Sequence, residues 1–298
     1  MATPNKAQLL TDVQTLLKKR YKPKAENEKD HVRLTVLEAI VYAIAHENAT
    51  RTRALEALGR FKSDFFDWNE VRVSTIDEVR LTLVPLANAE PRAQQVRRFL
   101  RQLFEKTYGF TLEALAKKPL KESLKVLAEY EAAESDYVLA TVIQQSLGGH
   151  AIPIDSDCRR PLERLGVIDT DTEIAAVRSL IERAVSKTRG FEFRNLLEDL
   201  AHDTCVAGVP KCPDCELRKL CPFGIAQKDA VHQTAKLVKG KPAKPAAKTS
   251  AAKPSAPAPP EPIAESTPEP PPAKKVPSKS PKAEKDKEKD KGKPSPRS

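Results

Sequence analysis

The sequence has no apolar run of the roughly 20 residues that a membrane-spanning helix needs. Its first residues, Met-Ala-Thr-Pro-Asn-Lys, lack the apolar core of a secretory signal peptide. We therefore expect a cytoplasmic protein with no membrane partner. Because that compartment is reducing, the five cysteines are not expected to form disulfides.

The sequence also lacks any sustained alternation of apolar and polar residues, the pattern of a half-buried strand. Apolar residues recur instead at helical spacing, for example at Leu37, Ile40, Val41 and Ile44. This pattern predicts an all-α fold of about nine or ten helices between residues 7 and 225. Turn-forming residues predict breaks between helices, one of them at Arg189–Gly190.

Residues 239–298 contain no aromatic residue and 15 of the 25 prolines. They hold 15 Lys/Arg against 7 Asp/Glu, which is +8 of the net +10 of the whole chain. A segment this poor in apolar residues cannot bury enough surface to offset its ordering entropy. We therefore predict a disordered Lys/Pro/Ala-rich tail over residues 227–298 and a folded body that is close to neutral.

Four of the cysteines fall within 17 positions, with the spacing C-x6-C-x2-C-x5-C; they are Cys205, Cys212, Cys215 and Cys221. Four thiolates this close together form a soft cage for a metal. Structural zinc usually takes two close cysteine pairs, and only one is present here. The spacing therefore favours a [4Fe-4S] cluster, with zinc as the alternative. Cys158 lies outside this segment and is expected to be a small buried side chain.

This spacing near the end of an all-helical body resembles the cluster loop of the endonuclease III family of helix-hairpin-helix DNA glycosylases. Two other stretches, from Ser135 to Arg160 and from Asp67 to Val79, are similar to segments of that family. The resemblance implies a two-lobed fold followed by the tail. A six-helix barrel lobe would comprise residues 31–155, and an iron–sulfur cluster lobe would comprise residues 1–30 and 156–226.

The resemblance also implies an activity, the removal of a damaged or mismatched base from double-stranded DNA by a monomer. Such a base is flipped out of the helix, and an aspartate supports its departure. Asp155 matches the position of that aspartate. The alternative reading is that Asp155 only caps a helix beginning near Asp157. A bacterial protein of this kind would be associated with the nucleoid.

Tyr137 matches the position where bifunctional members carry the lysine that forms a Schiff base. Because tyrosine has no amine, we expect a monofunctional glycosylase without strong lyase activity. The glycine-rich hairpin of the family is also missing, since Glu131–Ser135 contains no glycine. The acidic residues Glu131, Glu134 and Asp136 are expected to repel a phosphate there. The span from Leu124 to Leu147 is expected to form nearly continuous helix. A protein that has lost catalysis but still binds DNA is therefore the alternative function.

Further DNA contacts are implied by position. His46 lies where many members carry a glutamine that fills the gap left by the flipped base, although a histidine at a helix end is more often solvated. The other expected contacts are basic residues. Arg159 follows Asp155 closely, and the rest lie among the four cysteines: Lys211, Arg218 and Lys219. The cationic tail would add nonspecific affinity for DNA by counterion release, or would serve only solubility.

Overall fold

A computed structural model describes residues 5–21, 34–84 and 86–227 of the chain. The described residues belong to one compact unit, Met1–Pro242. They form helices and turns without a strand, which confirms the prediction of an all-α fold. The expected disordered tail lies outside the described residues. In the described part, no helix is both long and apolar enough to cross a membrane.

Twelve α-helices occur in the described ranges: α1 (Lys6–Arg20), α2 (Val36–His46), α3 (Arg51–Asp64), α4 (Trp68–Val73), α5 (Ile76–Thr82), α6 (Ala89–Thr107), α7 (Glu113–Ala116), α8 (Leu120–Leu127), α9 (Asp136–Gln145), α10 (Ser156–Arg164), α11 (Ile174–Ala184) and α12 (Lys187–Asp203). Short 3₁₀ helices occur at Glu131–Glu134 and Cys212–Asp214, and residues 222–227 are helical. This exceeds the nine or ten predicted, and separate caps at Asp67 and Thr75 account for one of the additional helices by dividing α4 from α5.

Two large hydrophobic cores, and a small third cluster of Ala140, Ile143 and Ala151, organise the described residues. The first core gathers buried apolar residues from Leu34 to Val142 around α2, whose residues are buried on all sides. The second core joins α1 to residues 152–217 and includes the buried Cys158. Helix α2 begins with a capping box, in which Thr35 and Glu38 bond each other's backbone N–H groups. The lobe boundary expected between residues 155 and 156 stays a prediction.

The hairpin region differs from the continuous helix expected between Leu124 and Leu147. Helix α8 ends at Leu127, and α9 begins only after Ser135, whose side chain accepts a bond from the Val138 N–H. Tyr130 lies between them and packs edge-on against Phe99 of α6, with ring centroids 5.7 Å apart. Burial of Tyr130 in the first core therefore turns the chain, so the helix-turn-helix shape forms without the glycines.

The acidic residues of this turn have intramolecular partners, which corrects the expectation of free negative charge. Glu131 is paired with Arg98 of α6, and Asp136 is paired with Arg178 of α11. These ion pairs cancel much of the charge that was expected to repel a DNA phosphate. Glu134 is exposed at the end of the 3₁₀ turn.

The break expected at Arg189–Gly190 is wrong, because both residues lie inside α12. Gly190 packs against Ile152, and a Cβ atom placed on it would lie 3.3 Å from the Ile152 side chain. The glycine therefore permits a close approach between α12 and the loop that leads to Asp155.

Candidate active site and cysteine cavity

Asp155 is the N-cap of α10 and lies between the two cores. Its Oδ1 accepts a hydrogen bond of 2.8 Å from the Cys158 N–H, and its Oδ2 accepts one of 3.0 Å from the Asn48 N–H. Only 6% of the residue is exposed. The helix begins at Ser156, one residue earlier than expected, and Asp155 caps it. A catalytic role for Asp155 is compatible with this cap and stays a prediction. The two backbone donors fix the direction of the carboxylate.

A buried polar network adjoins Asp155; its members are His46, Tyr137, Arg194 and Glu198. Arg194 Nη1 donates to Glu198 Oε2 at 2.7 Å, and Arg194 Nη2 donates to the Tyr137 hydroxyl at 2.6 Å. His46 Nε2 lies 2.8 Å from Arg194 Nη2 and 3.1 Å from Glu198 Oε2. The backbone N–H of Arg51 donates to the other Glu198 oxygen at 2.7 Å. Because α2 and α12 contribute to different cores, the network ties the two cores together.

The ionisation of this network follows from burial and charge. Burial, and next the neighbouring Arg194 cation, lowers the pKa of His46 to about 4, so its ring is neutral at pH 7. Burial alone would raise the pKa of Glu198, but the charge of Arg194 and the bond to His46 hold it well below its usual value. Burial also raises the pKa of Tyr137 far above that of a free phenol. The network therefore holds a carboxylate and a guanidinium with two neutral rings.

His46 differs from the solvated histidine that its helix-end position suggests. Its exposed fraction is 1%, and Glu198 and Arg194 surround the ring nitrogens. In this conformation the ring has no free edge to offer a DNA duplex. Tyr137, at the expected start of α9, is also buried and faces Arg194.

The basic residues expected to contact DNA have different surroundings. Arg159 is bonded within the protein, to Glu163 Oε1 at 2.7 Å and to the Thr170 carbonyl at 2.7 Å. Lys211 is exposed and lies 3.7 Å from Asp203 Oδ1. Arg218 is partly buried beside the cysteines, and Lys219 is exposed. Lys211 and Lys219 therefore have side chains accessible to a DNA backbone.

The four cysteines of the loop line one small cavity. Arg164 of α10 donates to Cys205 Sγ at 3.3 Å, and the Gly224 N–H donates to Cys221 Sγ at 3.4 Å. Burial raises the pKa of the Cys215 and Cys221 thiols, which a bound metal would deprotonate. Thiolate ligands with N–H donors suit a soft metal or an iron–sulfur cluster. Over the described ranges, no group of three or more His, Cys, Asp or Glu side chains is arranged to hold a metal ion.

Three residues of the site were missed in the sequence: Asn48, Arg194 and Glu198. The pair Arg194–Glu198 has the i, i+4 spacing of an ordinary surface ion pair, so the spacing gave no sign of burial. Asn48 stands directly after α2, where an asparagine is typical of a left-handed residue. That signal could have marked its backbone conformation, but not its contact with Asp155, which is 107 residues away in the sequence.

Comparison with known proteins shows which solved structures have a fold similar to that of this chain. No family model matches the chain. The structure is similar to that of endonuclease III in a non-covalent DNA complex, with a TM-score of 0.60, 16% identity and coverage of 77% of this chain and 100% of that one. A trapped covalent endonuclease III–DNA intermediate gives a TM-score of 0.59 at 16% identity, covering 76% of this chain and 100% of that one. A thermostable thymine-DNA glycosylase gives 0.54 at 17% identity, with the same coverage.

A curated relative agrees with these structures. It is an endonuclease III homolog of Encephalitozoon cuniculi, 25% identical over 113 residues, which are 38% of this chain. The match spans about half of that relative, 47% of its length. The predicted resemblance to the endonuclease III family is confirmed, and the described residues have the all-helical endonuclease III fold.

Proposed function

We propose that the protein is a monofunctional DNA glycosylase that removes a damaged or mismatched base from double-stranded DNA. The observation that carries the proposal is the Asp155 carboxylate, held by two backbone N–H groups at the start of α10 in the endonuclease III fold. A carboxylate fixed in this way can stabilise the cationic sugar that forms as the base departs. It can also orient the water that then attacks the sugar.

The proposed reaction has no covalent enzyme–sugar step. Tyr137 stands where the fold's bifunctional members carry the Schiff-base lysine, and its buried hydroxyl is bonded to Arg194. A phenol cannot form an imine with the opened sugar. The proposed products are therefore a free base and an intact strand with an abasic site.

A [4Fe-4S] cluster held by Cys205, Cys212, Cys215 and Cys221 is part of the proposal. A zinc ion needs its thiolates about 2.3 Å from a single point. A [4Fe-4S] cluster instead takes its four thiolates at four separate irons. A cavity lined by all four cysteines supports the cluster more than zinc. When bound, the cluster would cross-link the two ends and the middle of the loop of residues 205–221. Iron and acid-labile sulfide analysis of anaerobically purified protein tests this part, and zinc without iron would contradict it.

The proposed partner is the backbone of double-stranded DNA, and the proposed active form is a monomer. Lys211 and Lys219 of the cysteine loop are exposed on this part of the molecule. Their charges would contact phosphates without reading the base sequence. The nearly neutral body makes the cationic tail a further source of nonspecific affinity.

The test uses the full-length, iron-loaded chain and a panel of duplexes. The lesions are oxidised pyrimidines, uracil or thymine opposite guanine, and adenine opposite oxidised guanine. We expect abasic sites on at least one duplex and none after Asp155→Asn. Asparagine is as good an N-cap as aspartate, so this substitution removes the charge while keeping α10 capped. Asp171→Asn, at an exposed loop position, is the matched control and should keep full activity.

One observation favours a second candidate, a DNA-binding protein of the same fold that has lost catalysis. Asp155, Tyr137 and His46 are all buried, so a flipped base meets none of them unless the two cores move apart. Measurable duplex binding together with no abasic site on any lesion would favour this candidate and would contradict the glycosylase proposal.

A further inference from the structure

Asn48 forms a reciprocal contact with the first residues of α10. Its N–H donates to Asp155 Oδ2 at 3.0 Å. In return its Oδ1 accepts from the Ser156 N–H at 3.2 Å and from the Ser156 hydroxyl at 2.5 Å. We call these three residues, Asn48, Asp155 and Ser156, the Asn48 clasp. It is separate from the buried network of Arg194 and Glu198, and Asn48 itself is exposed.

The backbone at Asn48 is left-handed, with φ of 56°. This conformation is what turns the Asn48 N–H toward Asp155 directly after α2 ends. Glycine adopts it most easily, and asparagine tolerates it better than most other residues. Glycine would keep the N–H donor but would lose the side-chain oxygen that binds Ser156. An aspartate would add a second negative charge beside Asp155. Of these three residues, only asparagine combines the left-handed backbone conformation with a neutral side-chain oxygen that accepts from Ser156.

The segment carrying Asn48 is itself held firmly. The guanidinium of Arg92, on α6, donates to the carbonyl of Glu47 at 2.5 Å and also binds the carbonyl of Ile44. The Ala49 N–H closes a turn on the His46 carbonyl at 2.9 Å. Asn48 is therefore a fixed point attached to the first core, whereas Ser156 begins a helix packed in the second core.

We propose that Asn48 is a positioning residue for Asp155, fixing the direction of its carboxylate relative to the first core. Asp155 is otherwise anchored only from its own helix, by the Cys158 N–H. The inference rests on the proposed glycosylase function, because a fixed carboxylate direction matters only if Asp155 faces a reacting sugar. A small displacement of a reacting group costs much of its rate advantage.

The principal experiment compares Asn48→Gly with Asn88→Gly in single-turnover base release. Asn88 is a matched control, because it is also exposed, has the same φ of 56° and makes no side-chain capping bond. Asn48→Gly keeps the N–H that binds Asp155 but removes the oxygen that binds Ser156, so it should lower the rate of base release by about tenfold with duplex affinity unchanged. Asn88→Gly should match the wild type. Ser156→Ala, which removes only the hydroxyl bond, should give a smaller loss.

A second measurement needs no substrate. The Cys158 N–H donates to Asp155, so its hydrogen-exchange rate reports how firmly the carboxylate is held. Exchange should be faster in Asn48→Gly than in the wild type, and unchanged in Asn88→Gly. Equal exchange in all three proteins would overturn the inference.

The rate of base release and the exchange rate of the Cys158 N–H together separate the proposed glycosylase function from the positioning role of Asn48. If the wild type releases no base, the proposed function fails, and the exchange rate alone decides whether the clasp holds Asp155. If the wild type is active and Asn48→Gly keeps its full rate, the positioning role is overturned and the proposed function stands.

Discussion

The surroundings of Asp155 and the cysteine loop differ in where their polar groups find partners. Around Asp155 the partners are supplied by the protein itself, through Asn48, Cys158 and the network of Arg194 and Glu198. In the cysteine loop the four cysteines line one cavity, where the sulfur atoms of Cys205 and Cys221 have hydrogen bonds from Arg164 and Gly224. Buried polar groups that are paired within the chain rigidify a core, whereas a set of cysteine ligands becomes ordered only when it binds its metal.

The difference indicates which part of the fold depends on a metal. The first core and the buried network should persist in protein without metal, because their contacts are all internal. The cysteine loop should lose order, because it has few hydrophobic contacts apart from the buried Leu217.

Replacing a cysteine of the cavity should have the largest effect. Cys212→Ser should nearly abolish iron binding and make the loop of residues 205–221 sensitive to protease, while residues 34–145 stay resistant. Cys158→Ala is the matched control, because Cys158 is buried in the second core away from the cavity. Iron content and limited proteolysis measure the outcome. Full iron content in Cys212→Ser would show that the loop does not form the cage.

Removing the buried carboxylate of Glu198 should be the most damaging change near Asp155. Glu198→Ala leaves the Arg194 cation buried without its partner, and we expect a loss of about 3–5 kcal/mol in the free energy of unfolding. Asp199→Asn is the control. Asp199 pairs with Arg51, its side chain is 33% exposed, and the expected loss is at most about 1 kcal/mol. Urea unfolding measures both, and equal losses would contradict a special role for the network.

The network should also make stability depend on pH. The unfolded His46 ring takes up a proton near pH 6.5, whereas the buried ring stays neutral down to about pH 4. Stability from this group is therefore fully present above pH 6.5 and is lost as the pH falls toward 4, by on the order of 3 kcal/mol. Glu198, whose folded pKa is lowered from 4.5, adds a further loss below about pH 4.5.

His46→Gln is the variant that isolates the histidine contribution. Glutamine does not titrate, so the slope of stability between pH 6.5 and 4 should be smaller than in the wild type. The measurement is the urea midpoint at several pH values. An identical slope in both proteins would assign the acid sensitivity to other groups.

Tyr137→Phe should have the smallest effect on stability. The substitution keeps the ring and removes only the hydroxyl that accepts from Arg194. We expect a loss of about 1–3 kcal/mol, because Arg194 loses one of its buried acceptors. The same variant should still leave DNA strands uncut in the absence of alkali. A gain of stability would contradict the contact between Tyr137 and Arg194.

The sequence was informative where the chemistry is local. Helical periodicity predicted the all-α fold, and the spacing of four cysteines predicted that they meet in one place. The aspartate at a helix start was equally readable, since Asp155 caps α10. Such features depend on neighbours within a few residues.

The sequence was misleading where distant contacts decide the structure. Gly190 was taken for a helix break, whereas its missing side chain lets Ile152 approach α12. The helix-end position of His46 suggests a ring that contacts DNA or is solvated, whereas residues 148 and 152 positions away enclose it. The turn at Tyr130 forms because the ring packs on Phe99. None of these partners could be identified from local residue patterns.

The central claim is that Asp155 supports removal of a base without cutting of the strand. The most direct measurement follows an end-labelled lesion duplex with the iron-loaded wild-type protein, before and after treatment with alkali. The account predicts an intact strand before alkali and a strand cut at the lesion after it, with neither product in Asp155→Asn. Strands that stay intact after alkali on every lesion tested would contradict the account.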